Sequence, residues 1–153
     1  DQLNWYLGEP VEVFTVQSSP TGPAEVTIKY KNGGVGQVQS FMNASTGVPF
    51  TSTIDLLGTQ GMAHYEFSAV SATEESSAGN SAGVNSWHVF SSKGNTVNQI
   101  ATDDPYGRQI KYFYDQASKG GKYDQTPTPS AVWALKVSLA AKQSLKEGRP
   151  ISI

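Results

Sequence analysis

The first two thirds of the chain alternate between apolar and polar positions, which is the periodicity of β-strands. In residues 26–31, Val, Ile and Tyr alternate with Thr and Lys. Asn32-Gly33-Gly34 comes next and predicts a hairpin turn, because Asn and Gly tolerate positive φ. Comparable segments predict further strands at residues 11–16, 35–41, 51–57, 62–70 and 86–91.

The last third of the chain has helical periodicity. Ile110, Phe113 and Tyr114 are spaced i, i+3 and i+4 after a helix-start signal at residues 102–105. A second helix is predicted over residues 128–147, between a Thr-Pro start and a Gly stop. We expect this helix to pack on the sheet through an apolar face that consists of Val132, Leu135 and Leu139.

The order of these elements predicts an α+β fold. A helix end at residues 2–7 precedes the strands, and a short strand at residues 151–153 closes the chain. We expect an open, mainly antiparallel mixed sheet of about six strands with helices packed on one face. Residues 73–85 are rich in Ser, Gly, Ala and Glu without periodicity, so they are predicted to form a mobile loop.

The second face of the expected sheet is polar. An open sheet usually has one solvated face, but a Thr-rich polar face also suits a wet interface between subunits. The pattern alone leaves both interpretations open. The residues assigned to this face are Thr27, Lys29, Lys31, Gln37, Gln39, Thr51, Thr53 and Asp55.

Composition narrows the range of partners. The 153 residues suffice for one core, and the net charge of −2 provides no positive field for a nucleic-acid backbone. No apolar run is long enough for a membrane span, so we expect no membrane partner. The absence of Cys excludes disulfides and thiolate metal sites, and it favours the cytoplasm.

The motifs of a self-contained enzyme are missing from the sequence. No Gly-x-Gly-x-x-Gly string leads from a strand into a helix, and no Ser lies in a nucleophile-elbow string. His64 and His88 are too far apart in sequence to have a metal-ligand spacing. We therefore predict no catalytic, cofactor-binding or metal-binding residue in this chain.

Four segments resemble the Gfo/Idh/MocA oxidoreductases. Residues 1–16 resemble the family's helix that ends in Leu-Gly-Glu-Pro before a strand, and residues 54–62 its strand–Gly-x-x-Gly–strand hairpin. Residues 104–113 resemble its Tyr-x-x-Glu-Ile-x-x-Phe helix, although Gln109 replaces the Glu. Residues 134–150 resemble its closing helix and Gly-Arg-Pro end. The segments occur in the family's order and extend over the whole chain.

The resemblance implies that residues 1–153 form a C-terminal substrate-binding and oligomerisation domain. In this family NAD or NADP is held by an N-terminal Rossmann domain, which this chain does not contain. Asp1 matches the last Asp of the family's Asp-x-Gly-x-His-x-x-Asp string, so the resemblance places the catalytic His, like the catalytic Lys, before residue 1. It further implies a sugar or polyol substrate and a homodimer, or a higher homo-oligomer, through the open sheet face.

Three residues are candidates for substrate contact. The resemblance points to Tyr106, which opens a helix and whose phenol can hydrogen-bond a ligand rich in hydroxyls. Trp87 and His88 follow the predicted loop, and an aromatic ring beside an imidazole suits a sugar face. The alternatives are a core-edge Tyr and ordinary strand packing. For His64, a structural role is expected.

Two functions of different classes remain open. The favoured one is the substrate-binding and dimerisation domain of an oxidoreductase that transfers hydride between a nicotinamide cofactor and a sugar, polyol or sugar derivative. On this reading the 153-residue chain alone is inactive. The alternative is a non-catalytic scaffold module that binds a carbohydrate or a protein through the open sheet face.

Overall fold

The computed structural model describes residues 1–41, 43–45, 48–69, 82–100, 104–125 and 127–153. The α+β class is confirmed. The elements in chain order are α1 (Gln2–Leu7), β1 (Pro10–Gln17), β2 (Ala24–Tyr30), β3 (Val35–Ser40), β4 (Thr51–Gly58), β5 (Gly61–Ala69), β6 (Ala82–Ser91), β7 (Gly94–Gln99), α2 (Pro105–Lys119), α3 (Thr128–Glu147) and β8 (Ile151–Ser152).

The strands form two sheets, so the prediction of one sheet of about six strands is wrong. The order in the first sheet is β3-β2-β1-β8, and the order in the second is β4-β5-β6-β7. The strand pairings in both sheets are antiparallel. Periodicity shows which face of a strand is apolar, but it does not show which strand edges pair. The sequence therefore could not reveal the break between β3 and β4.

The chain divides accordingly into two compact units. Unit 1 comprises Asp1–Ala44 and Gln116–Ile153, and unit 2 comprises Ser45–Asp115. The expected polar face is divided as well. Its residues before position 40 belong to unit 1, whereas Thr51, Thr53 and Asp55 lie on β4 in unit 2. They do not form one continuous face of a single sheet.

Unit 1 has a buried core on the inner face of its sheet. Val13 is 0% exposed, Tyr30 1% and Ile28 3%, and α3 packs over them. The Tyr30 hydroxyl donates a hydrogen bond of 2.9 Å to Asn4 Oδ1, which ties α1 to the core. Burial raises the pKa of the Tyr30 phenol, so it remains a donor. This core fixes the position of both α1 and α3.

The face of α3 that packs on the sheet is not the one that the sequence predicted. Leu135 is 61% exposed and Leu139 59%, and Val132 is also exposed. The buried side chains of α3 are Ser130, Ala140 and Ser144. They lie on the opposite side of the helix at 100° per residue, and their small size lets the helix approach the sheet closely.

The hydroxyl of Ser144 has a specific role in the contact between α3 and β1. β8 has two residues and pairs with β1 only at Glu12 and Val13. Thr15 lies beyond the residues of β1 that pair with β8, and its backbone N–H donates to Ser144 Oγ at 3.0 Å. Ser144 Oγ in turn donates to the Arg149 carbonyl at 2.7 Å. The side chain therefore continues the hydrogen bonding of β1 where the strand partner ends.

Unit 2 is built on two central strands, β5 and β6. The turn from β4 to β5 requires glycine at position 61, because a Cβ there would lie 2.1 Å from the Phe90 carbonyl oxygen. β6 begins at Ala82, so the last four residues of the predicted loop 73–85 belong to a strand. Residues 73–81 of that loop, and 102–103 of the predicted helix start, lie outside the described residues.

β7 was not predicted from the sequence. Apart from Gly94 and Val97, its residues are polar. β7 lies at the edge of its sheet, and those of its side chains that the structure describes are exposed. An edge strand without a buried face has no reason to alternate in polarity. The helix start at Asp104-Pro105 was predicted correctly: Asp104 accepts hydrogen bonds from the backbone N–H groups of Tyr106 and Gly107 at 2.9 and 3.0 Å.

Candidate functional site

The structure places two of the predicted contact residues on opposite faces of one strand. Trp87 and His88 are successive residues of β6, and successive side chains of a strand point to opposite faces. Trp87 pairs with Tyr65, with ring centroids 6.4 Å apart. His88 pairs with His64, with ring centroids 6.0 Å apart. Trp87 and His88 therefore cannot both contact a ligand that lies on one face of the sheet.

Tyr106, the third predicted contact residue, is the second residue of α2. At 74% exposure, Tyr106 is among the most exposed large hydrophobic residues of the described chain. Ile110, Phe113 and Tyr114 lie on the same face of α2, and they are 62–69% exposed. The predicted helical stripe is therefore present, and its side chains are largely exposed.

The face of the second sheet that carries His88 also carries a histidine–carboxylate pair. His64 on β5 lies between Asp55 on β4 and His88 on β6 in the strand register. His64 Nδ1 donates to Asp55 Oδ1 at 2.7 Å, and its Nε2 lies 3.8 Å from Glu66 Oε2. The hydrogen bond with Asp55 raises the pKa of His64 above its ordinary value; partial burial opposes the rise, and the charges of Asp55 and Glu66 add to it.

Ser86 completes this polar row. Its Oγ is hydrogen-bonded to His88 Nε2 at 3.0 Å, and the residue is 2% exposed. This hydrogen bond links a buried hydroxyl to the His88 ring. Among the described residues, no group of three His, Asp or Glu side chains is arranged to hold a metal ion. The row can bind or release a proton at His64, but it encloses no substrate.

A depression of 780 Å³ lies on unit 2, between the β4–β5 and β6–β7 turns. Lys93 is a cationic side chain on its rim, and Phe90 and Met62 are apolar residues in its wall. None of its lining residues is buried. It lies at the surface between two turns, and the Ser91 hydroxyl in its lining is held by hydrogen bonds with the Gly94 carbonyl and the Lys93 N–H.

Unit 1 contains a smaller pocket, which we call the tryptophan pocket. Its volume is 280 Å³, and α1, α3 and the segment before α3 line it. Ser130 Oγ donates to Asp1 Oδ1 at 2.8 Å, which joins the N-terminal ends of α1 and α3. The lining residues are Asn4, Trp5, Asp124, Pro127, Ser130 and Trp133.

Two polar residues of this pocket are buried, Asn4 with 5% exposure and Ser130 with 8%. Asn4 Oδ1 accepts the hydrogen bond from Tyr30, which fixes the orientation of the amide. Its Nδ2 is buried and has no hydrogen-bond partner among the described residues. A buried donor without a partner costs about 1–3 kcal/mol. The orientation of the Asn4 amide is therefore set by the core of unit 1, and its Nδ2 lies beneath the surface.

The tryptophan pocket was not predicted from the sequence, because Trp5 and Trp133 lie 128 positions apart and no local pattern connects them. One signal was available. Asn4 interrupts an otherwise apolar segment, Leu-Asn-Trp-Tyr-Leu, and a polar residue in such a place is commonly buried with a specific partner.

Comparisons with known proteins add no assignment. No family model matches the chain, and no curated protein or solved structure matches it either. In the part of the chain that the structure describes, no helix combines the length and the apolar character needed to cross a membrane.

Proposed function

We propose that the chain is the substrate-binding and subunit-association domain of an NAD(P)-dependent oxidoreductase of the Gfo/Idh/MocA type. Its substrate is a sugar, a polyol or a sugar derivative. The reaction moves a hydride between a carbinol carbon of that substrate and the nicotinamide ring. In this proposal the chain binds and orients the substrate, and the residues that transfer the hydroxyl proton belong to another domain.

One observation carries the proposal: each of the four resembling segments folds into the element that the resemblance implies. Residues 1–16 form α1, a Gly8 cap with φ of 83° and β1. Residues 54–62 form most of the β4–β5 hairpin. Residues 104–113 contain the start of α2, and residues 134–150 form the end of α3 with its Gly148 cap, just before β8.

The cofactor is assigned to a separate domain because this chain offers no fitting cradle. A pyrophosphate site needs glycines where a strand turns into a helix. The sequence from β7 to α2, residues 100–104, contains no glycine. No step of the reaction is therefore assigned to a residue of this chain.

We assign subunit association to the polar face of the second sheet, which carries Thr53 and Asp55. This face also exposes apolar side chains, with Leu57 at 78% and Val97 at 57%. A mixture of polar and apolar groups is typical of interfaces between subunits. Placing Lys at position 53 on both sides of a two-fold contact brings like charges together, so Thr53→Lys should weaken a dimer by several kcal/mol.

Sedimentation equilibrium tests the association. We expect a dimer at about 100 μM chain, well above a micromolar dissociation constant, and its loss in Thr53→Lys. Thr27→Lys, the same change on the outer face of the first sheet, is the matched control and should leave the dimer intact. A wild-type chain that stays monomeric at this concentration contradicts the interface.

The enzymatic part is tested on the natural polypeptide that carries this chain. Its coding sequence should place a strand–Gly-x-Gly-x-x-Gly–helix fingerprint and a Glu-Lys-Pro string before residue 1. The purified polypeptide should reduce NAD or NADP with at least one member of a panel of sugars and polyols, followed by nicotinamide absorbance. A start codon directly before Asp1, or no turnover with any panel member, contradicts the enzyme and favours the scaffold module.

A further inference from the structure

The outer face of α3 carries a stripe of three large apolar side chains. Val132, Leu135 and Leu139 are 45%, 61% and 59% exposed. At 100° per residue they lie within about 60° of one another around the helix. The opposite side of α3 packs on the core of unit 1, so a supported helix holds the stripe at the surface. Apolar groups aligned in this way at a surface mark a site of interaction with another molecule.

Lysines border the apolar stripe on both sides. At 100° per residue, Lys136 lies about 40° from Val132 on one side, and Lys142 lies about 20° beyond Leu135 on the other. Both lysines are exposed, and neither forms an ion pair with another residue that the structure describes. The stripe therefore lies between two positive charges that are not neutralised within the described chain.

The helix itself supplies no acid to these lysines. Its one acidic residue, Glu147, accepts a hydrogen bond from Gln143 and forms an ion pair with Arg149. A helix face that contacts only solvent commonly mixes charges of both signs. An apolar stripe with flanking charges of one sign is instead typical of a helix that pairs with an oppositely charged helix.

The charges also argue against a second copy of this face as the partner. Two identical α3 helices that met through their apolar stripes would bring Lys136 and Lys142 of one chain against the same lysines of the other. Like charges across an interface oppose association, whereas opposite charges favour it and fix the register. The complementary partner has an apolar stripe of similar width and carboxylates on both of its borders.

We propose that the outer face of α3 is a docking surface for an amphipathic helix of a partner protein whose apolar stripe is bordered by Asp or Glu. Val132, Leu135 and Leu139 contact the apolar stripe of that helix, and Lys136 and Lys142 pair with its carboxylates. The contact is small, so the complex is transient, with a dissociation constant between about 1 μM and 1 mM. The inference does not rest on the proposed function, and it concerns unit 1, whereas subunit association is assigned to the second sheet.

Two synthetic peptides provide the test. Each is about three heptads long, with Leu at the a and d positions. One has Glu at the e and g positions, and the other has Lys there. The ¹⁵N-labelled 153-residue chain is titrated with each peptide, and its amide signals are followed by NMR. We expect the acidic peptide to shift the signals of residues 132–142 to saturation and the basic peptide to leave them in place. No response to the acidic peptide at about 1 mM, or equal responses to both peptides, overturns the proposal.

A charge reversal tests the role of the lysines. The double variant Lys136→Glu, Lys142→Glu should bind the acidic peptide at least about tenfold more weakly and should now prefer the basic peptide. Lys29→Glu is the matched control, because Lys29 is an exposed lysine on β2, and it should bind as the wild type does. Wild-type preference in the double variant overturns the pairing with carboxylates.

A truncation tests the apolar stripe. Leu135 is 61% exposed, so Leu135→Ala should fold as the wild type does while its dissociation constant for the acidic peptide rises about fivefold or more. Urea unfolding of the same sample shows that the fold is retained. Wild-type affinity in a folded Leu135→Ala variant removes the stripe from the contact and overturns the proposal.

Two other occupants of this face would give different results. Shifts of the α3 signals that grow with the concentration of the chain alone would indicate a second copy. Binding to vesicles of phosphatidylcholine and phosphatidylserine that is lost in the double lysine variant, without a response to the acidic peptide, would indicate an anionic membrane. Either result overturns the proposal.

Discussion

The two sheets of this chain are alike in plan but differ in how they are covered. Each has four strands, and their pairings are antiparallel. The first sheet buries Val13, Ile28 and Tyr30 almost completely under α3. In the second sheet, the one described residue that is fully buried is a serine, Ser86. The same strand architecture therefore carries a hydrophobic core in one unit and an accessible surface in the other.

Under the proposed function, this difference gives the two units different tasks. A binding site needs a rigid support, and in unit 1 hydrogen bonds join α1 to the core and to α3. The second sheet has apolar residues on one face that are only half-buried, and His64 and Asp55 on the other. Surfaces of this kind suit association with another molecule.

The largest expected effect is on the core of the first sheet. Ile28→Ala should lower the free energy of unfolding by about 2–5 kcal/mol, because it opens a cavity in a packed site. Ile54→Ala removes the same atoms from the half-buried face of β4 and should cost about 1 kcal/mol. Urea unfolding of both variants measures the difference. Equal losses would remove the distinction between the two sheets.

A second pair of variants compares two serines on one helix. Ser144→Ala leaves the Thr15 N–H and the Arg149 carbonyl without their buried partner, so it should cost about 1–3 kcal/mol. Ser138 is exposed and its hydroxyl donates to the Ala134 carbonyl of its own helix at 2.9 Å. Ser138→Ala should change stability by less than about 0.5 kcal/mol. A Ser144→Ala variant as stable as the wild type would contradict the role assigned to this contact.

The protonation of His64 makes the stability of the second sheet depend on pH. The Asp55 hydrogen bond raises the folded-state pKa of His64, so its contribution to stability is complete below the unfolded pKa, about 6.5, and is lost as the pH rises through the folded pKa. In Asp55→Asn, the pKa of His64 should fall towards its ordinary value, and this pH dependence should shrink.

NMR titration of the His64 ring measures this pKa. The matched control is Glu9→Gln, which removes one carboxylate from the Glu9–Lys31 ion pair in unit 1 and should leave the pKa of His64 where it is. An unchanged pKa in Asp55→Asn would mean that the 2.7 Å hydrogen bond does not persist in solution.

The smallest effect is expected where the sequence predicted a large one. Leu135 looked like a core residue of α3, for which truncation costs about 2–5 kcal/mol. It is 61% exposed, so Leu135→Ala should change the free energy of unfolding by no more than about 0.5 kcal/mol. Urea unfolding gives the answer, and a loss above about 2 kcal/mol would mean that the leucine face is covered in solution.

These residues also show how far the sequence could be read. Local patterns located the β2–β3 hairpin, the start of α2 and the extent of α3, because turn and cap residues act within a few positions. The packed face of α3 was missed because its buried residues, Ser130, Ala140 and Ser144, are small or polar. The serines are buried with partners distant in sequence: Ser144 bonds with the Thr15 N–H, and Ser130 with Asp1. The tryptophan pocket was missed for a related reason, since α1 and α3 meet only through the fold.

Native-state amide hydrogen exchange tests the contrast between the two sheets most directly. β2 and β5 are matched for this purpose, because each is hydrogen-bonded to strands on both sides. We predict that the slowest amides of β2 exchange only on global unfolding, and that those of β5 exchange at least about tenfold faster through local opening. Equal protection of β2 and β5, or slower exchange in β5, would contradict the account.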